Sequence, residues 1–157
     1  MKLPVRKKSR LENYDYSQEG AYFITICVKD RKKILSKIVG AIHESAEIEL
    51  TQYGKILDNH INNLNARFNI NVDKYVIMPD HIHLIITINE RAIRESPLQR
   101  RPTISKAIGF LKMNASRDIH NAGYKGEIWQ RSYYDHVIRN QNDYNEIWEY
   151  IDSNHKK

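Results

Sequence analysis

The stretch Tyr75-Val76-Ile77-Met78-Pro79-Asp80-His81-Ile82-His83-Leu84-Ile85-Ile86-Thr87-Ile88 decides the fold. It is the longest apolar run in an otherwise polar chain. Its length and its content of Ile and Val suit buried strands rather than a helix. Pro79 has no N–H for a sheet ladder, so it divides the run into strands over about residues 70–78 and 82–88. Side chains alternate along a strand. Ile82, Leu84, Ile86 and Ile88 therefore share one face, and His81, His83, Ile85 and Thr87 share the other. An apolar row against a core leaves both imidazoles side by side opposite it. That pair suits two-point capture of a divalent metal ion, or it is ordinary polar surface; a third ligand and a reacting group must come from elsewhere.

Working outward, the 157 residues fit one domain, 1–157, around a single core. No stretch reaches the roughly 18 uncharged apolar residues that span a bilayer, and the basic N-terminus lacks the apolar run of a secretory signal. The expectation is a cytoplasmic protein with no membrane partner. One cysteine, Cys27, excludes an internal disulfide and a cysteine-rich zinc site. The net charge of +6 and pI of about 9.3 are compatible with a polyanionic partner. Ten tyrosines and two tryptophans offer surface for stacking on unpaired bases, or serve the core.

Residues 1–13 form a basic arm, free or ordered on a partner. Ala21–Val28 reads as a strand. Residues 29–50 hold short extended pieces around a loop near Gly40. Thr51 can cap a helix to about Phe68, with Leu57, Ile61 and Leu64 at helical spacing. Residues 89–102 are charged and carry two prolines, so they read as a linker. Thr103 opens a second helix, residues 129–139 feed a strand, and Asp143 begins a final helix. The order strand, helix, strand, strand, helix, strand is the ferredoxin-like βαββαβ arrangement, an α+β fold with one antiparallel sheet and its helices on one face. The histidine face would be open to a partner.

On the last helix Tyr144, Ile147, Trp148 and Ile151 make an apolar stripe. Tyr150 and Asn154 are four apart and share a face beside it. A core-edge tyrosine and a capping asparagine would satisfy the same pattern.

Four blocks in order carry a resemblance: Tyr14-Asp15-Tyr16 with Gly20–Thr25, Met78-Pro79-Asp80-His81-Ile82-His83, Trp129–Arg139, and Tyr150-Ile151 with Asn154. Over nearly its whole length the chain resembles the REP-associated tyrosine transposases, members of the single-tyrosine HUH nucleases. It departs from them after Asn154, where His155 stands in place of the family's proline.

The resemblance implies a ferredoxin-like domain whose C-terminal helix carries the nucleophile. It implies that Tyr150 attacks single-stranded DNA beside a hairpin, leaving a 5′-phosphotyrosine and a free 3′-OH. It further implies that His81, His83 and Asn154 hold Mg²⁺ or Mn²⁺. A homodimer sharing the tyrosine helix and a chain acting alone both occur in the family. A DNA- or RNA-binding module that has lost catalysis is the rival reading. Lys106, Lys112, Arg117, Arg131 and Arg139 are candidates for phosphate contacts, with Arg100 and Arg101 in the same position. Asp80 can orient a ligand histidine or serve the turn after Pro79. His136, beside Asp135, is a candidate for a supporting, DNA-contacting or base role.

Overall fold

The computed structural model describes residues 13–16, 18–40, 46–68, 70–89 and 103–154. Residues 1–12 of the basic arm, Arg100, Arg101 and His155 lie outside them. In chain order the strands are β1 (Gly20–Cys27), β2 (Ser36–Val39), β3 (Glu47–Leu50), β4 (Asn71–Ile77), β5 (His81–Ile88) and β6 (Tyr134–Ile138). The α-helices are α1 (Gln52–Asn62), α2 (Leu64–Phe68), α3 (Ile104–Asn121) and α4 (Gln141–Ser153).

Pro79 interrupts the apolar run as its missing N–H requires. β4 ends at Ile77, β5 begins at His81, and the Met78 N–H donates to the His81 carbonyl at 2.8 Å to close the hairpin. The turn is not left loose. Its Pro79 and Asp80 carbonyls accept from the Leu35 and Val28 N–H groups at 3.0 and 2.9 Å.

The main sheet has the order β4-β5-β1-β6, with every neighbouring pair antiparallel. This is the ferredoxin-like order, and the expected alternation holds. Ile82, Leu84, Ile86 and Ile88 are fully buried, in one core with Ile24 and Ile26 of β1, Leu57 and Ile61 of α1, and Ala107, Ile108 and Leu111 of α3. Burying such side chains is worth about 1.5–3 kcal/mol each, so this row sets the register. One residue of slip would turn the histidines into the core.

The short extended pieces expected within residues 29–50 form a separate hairpin, with β2 paired to β3. Two local features differ from the sequence reading. The helix expected from Thr51 to Phe68 breaks at Asn63, whose side chain donates to the Asn59 carbonyl at 2.8 Å; such local bonding competes with helix continuation. The last helix starts before Asp143. Asn140 caps it by accepting from the Asp143 N–H at 2.8 Å, and Asp143 becomes an acidic first-turn residue, where the helix dipole favours it.

The face opposite α1 and α3 is not wholly open. α4 lies across β4 and β5 on that side, so Ile85 and Ile151 are buried apart from the main core. No helix among the described residues is long and apolar enough to cross a membrane.

Gly54, in the first turn of α1, packs directly on the chain before it. A Cβ there would stand 2.0 Å from the Leu35 carbonyl oxygen, whereas one on Gly109 in α3 would meet nothing within 4 Å. Helix propensity favours alanine at both by about 1 kcal/mol. Gly109→Ala is therefore predicted to raise the urea midpoint and Gly54→Ala to lower it; equal shifts for the two would contradict the packing.

Candidate active site

β1 and β5 build the floor of the site. Their register sets Thr25 beside His83 and Cys27 beside His81. The imidazoles of His81 and His83 have centroids 4.7 Å apart. Each is held through Nδ1: His83 by Thr25 Oγ1 at 2.8 Å, and His81 by Asp80 Oδ1 at 2.6 Å. An ionised carboxylate only accepts, so His81 Nδ1 carries a proton toward Asp80 and Nε2 is the ring's other nitrogen, turned away from that bond. His83 Nε2 is buried and has no hydrogen-bond partner among the described residues. Phe23, two residues before Thr25, stacks on the His83 ring at 5.2 Å.

Asp80 is itself held from behind. Arg31 Nε lies 3.0 Å from Asp80 Oδ2, and another guanidinium N–H donates to Cys27 Sγ at 2.9 Å. Asp30 and Arg31 both take left-handed backbone angles, φ 55° and 54°, a conformation that costs non-glycine residues of order 1 kcal/mol or more. Burial pushes the Asp80 carboxyl up, but the bond from His81 and the Arg31 charge outweigh it and hold the group below the usual carboxylate range. Burial, with the neighbouring His81 and Arg31, lowers the His83 pKa to about 4, so this ring is neutral at pH 7.

α4 brings the phenol. Tyr150 has its ring centroid 5.3 Å from that of His83 and 6.2 Å from that of Phe23, and remains partly exposed. The helix is fixed at several points on this face. Tyr144 Oη donates to Asp73 Oδ2 at 2.8 Å, and Lys74 Nζ lies 2.7 Å from Asp152 Oδ1 and 4.8 Å from the Trp148 ring centroid. His136 Nε2 meets Asp143 Oδ2 at 2.8 Å. His136 thus ties the edge strand to the first turn of the tyrosine helix. Asn154, one turn beyond Tyr150, is buried at the helix end.

The structure therefore brings His81, His83, Asp80 and Tyr150 together within one chain. The basic residues separate into two groups. Lys106, Lys112 and Arg117 belong to α3, behind the sheet from the histidines. Lys112 is engaged inside the fold: its ammonium donates to the Gln130 and Ser132 carbonyls, both at 2.8 Å, which leaves one of its N–H groups for a phosphate. Arg117 Nε pairs with Asp118 at 3.0 Å. Arg131 and Arg139 are exposed at either end of β6. Asp135 turns to the helix side, opposite Ile24, with both carboxylate oxygens buried and lacking hydrogen-bond partners among the described residues.

The sequence reading gives no site role to Thr25, Phe23 or Arg31. The alternation of β1 puts Phe23, Thr25 and Cys27 on one face, but only the β1–β5 register shows that it is the histidine face. Nothing in the sequence marks Arg31.

An antiparallel ferredoxin-like sheet carrying a histidine pair, with a tyrosine laid on it by a C-terminal helix, defines a class of site built for a phenol and two imidazoles. Residues 17–154 match the family model described as "Transposase IS200 like", and the chain belongs to that family. It is 33% identical to an uncharacterized protein of Haemophilus influenzae, over 95% of this chain and 87% of that one. It is 26% identical to a second protein of that organism, named provisionally as a REP-associated tyrosine transposase, over 90% of this chain and 74% of the relative. A REP-associated tyrosine transposase solved bound to a REP hairpin shares the fold, with a TM-score of 0.63, 23% identity and coverage of 92% of this chain and 72% of that one. A Deinococcus radiodurans protein provisionally named a transposase also shares it, with a TM-score of 0.54, 16% identity and coverage of 92% and 95%.

The His83 environment yields a pH prediction. Folded metal-free protein keeps the ring neutral down to about pH 4, while an unfolded chain protonates it near pH 6.5. Between those values the unfolded state binds more protons, so this contribution to stability is present above about 6.5 and lost as pH falls toward 4. Urea unfolding of wild type and His83→Gln at pH 7.5 and 5 should show a smaller acid loss in the variant; equal losses would contradict the burial argument.

Proposed function

We propose that this family member is a single-stranded DNA endonuclease and strand transferase acting through Tyr150, on DNA adjoining a hairpin. The observation that carries the reading is the approach of the Tyr150 ring to His83 beside His81 in one chain. The REP hairpin bound by the structural relative supports the substrate class.

The donor set fits a divalent ion. His83 Nε2 is a buried nitrogen without a partner among the described residues, and Asp80 bonds to His81 at Nδ1, which leaves Nε2 of that ring as its atom for a metal. Among the described residues no cluster of three or more His, Cys, Asp or Glu is suited to a metal. The remaining ligands in this reading are the Asn154 amide oxygen, phosphate oxygens and water, which suits Mg²⁺ or Mn²⁺ better than a closed zinc site. When bound, the ion offsets the charge of the scissile phosphate and polarises it.

The chain's own residues supply the rest. The Tyr150 hydroxyl gives up its proton to water as Oη attacks phosphorus; the Oη–P bond forms as the P–O3′ bond breaks, and the leaving 3′-oxygen takes up a proton from water. The phosphotyrosine conserves the bond, so a 3′-OH can reverse the step and join strands. Asp80 and Thr25 orient the imidazoles, with Arg31 bracing Asp80. Arg131 and Arg139 supply phosphate contacts along β6.

Tyr150→Phe is predicted to abolish the covalent adduct with hairpin DNA on a denaturing gel in Mn²⁺, while binding stays within a few-fold of wild type; a surviving adduct would rule out the assignment. His81→Ala and His83→Ala should each lose cleavage. Asp80→Asn should weaken Mn²⁺ binding, read calorimetrically, by about 10- to 100-fold. Binding without any wild-type adduct would favour the non-catalytic module instead.

A further inference from the structure

We propose that Tyr134 is a stacking platform for the base of an unpaired nucleotide flanking the scissile phosphate, so that it fixes the path of a single strand across the β1–β6 half of the sheet. This rests on the nuclease reading and adds to it a subsite for the substrate.

Tyr134 pairs with Thr25, and Thr25 pairs with His83, so the three lie in one row across the sheet. Directly opposed residues of neighbouring strands face the same side, and Thr25 bonds to His83 on the site face. The adjacent Tyr133 confirms the alternation: it is buried on the other side, its hydroxyl 3.0 Å from Ser105 Oγ of α3. Tyr134 is 59% exposed, more than any other large aromatic of the described chain. With strands about 4.8 Å apart, it stands roughly 10 Å from His83. That is too far for the attacked phosphate and near enough for a neighbouring nucleotide.

The surroundings fit a nucleic-acid strand. α4 packs on β4 and β5 and meets β6 through the Asp143–His136 contact at its first turn, while the Tyr134 ring on β6 stays exposed. Arg131 and Arg139 bracket the strand that carries Tyr134, and the chain is basic overall at +6. Phosphates on the arginines and a base on the phenol ring is the usual pairing of contacts for unpaired strands, and stacking tolerates any base because every base has a π face.

The test uses the full chain with Tyr150→Phe as background and no divalent metal, so cleavage does not enter. Binding of a fluorescein-labelled mixed-sequence single strand is compared with that of an abasic strand of the same length. On the base-bearing strand, Tyr134→Ala should weaken binding about 5- to 100-fold, as expected for loss of one stacked base, and Tyr134→Phe should stay within about twofold. On the abasic strand the alanine change should have little effect. Equal affinities of Tyr134→Ala and its parent for the base-bearing strand would overturn the proposal. So would equal losses on both strands, which would mean a backbone contact or a damaged fold. A parent that binds neither strand would overturn the DNA reading as well, which separates the two failures.

Discussion

Docking of α4 onto the histidine face is the constraint on which the site depends. The sheet presents two imidazoles whatever the helix does, since the buried Ile82, Leu84, Ile86 and Ile88 fix their orientation. The phenol has no such guarantee. It reaches His83 because Asp73 and Lys74 on β4 hold Tyr144 and Asp152, and because His136 holds Asp143. These anchors lie at both ends of the helix. Exposed ion pairs contribute little individually, and the buried Ile85 and Ile151 supply the apolar part of the joint. The result is a partly exposed phenol on a helix that is attached to the sheet by a modest set of contacts.

The histidines are prepared by a second layer reaching back to the loop after β1. Asp80 sits in the hairpin turn that Pro79 enforces, Arg31 braces it, and the backbone around Arg31 is left-handed at consecutive residues. Strain of this kind persists where the surroundings over-determine it. Here the Val28 and Lys29 N–H groups donate to the Asp80 and Ile128 carbonyls, so the guanidinium is delivered to the carboxylate by the backbone as much as by its own side chain. Burial keeps His83 neutral, which leaves its outward nitrogen with a lone pair at physiological pH.

Much of this was legible in the sequence, for a specific reason. Strand alternation is a period-two rule, so the faces of His81, His83 and the isoleucines could be assigned without coordinates, and the βαββαβ order followed from the placing of helices and strands. Helical spacing likewise put Tyr150 and Asn154 on one face. What sequence could not supply was register and long-range partnership. Thr25 is an ordinary strand threonine until β1 is set against β5. Arg31 is one of several basic residues until its turn is folded. Lys112 reads as a candidate phosphate contact because nothing local shows that the Gln130 and Ser132 carbonyls converge on it. The cap at Asn140 and the break at Asn63 turned on asparagine side chains, whose local bonds compete closely with the helix.

The central claim is that one chain supplies both the imidazole pair and the phenol that works with it. Complementation tests this most directly. Tyr150→Phe protein is mixed with protein carrying His81→Ala and His83→Ala, and the mixture is assayed for covalent adduct on hairpin DNA with Mn²⁺ against each variant alone and wild type. A site formed within one chain predicts no adduct in the mixture beyond that of the separate variants. Adduct restored by mixing would show that the tyrosine helix works on the histidines of another copy, and would contradict the account.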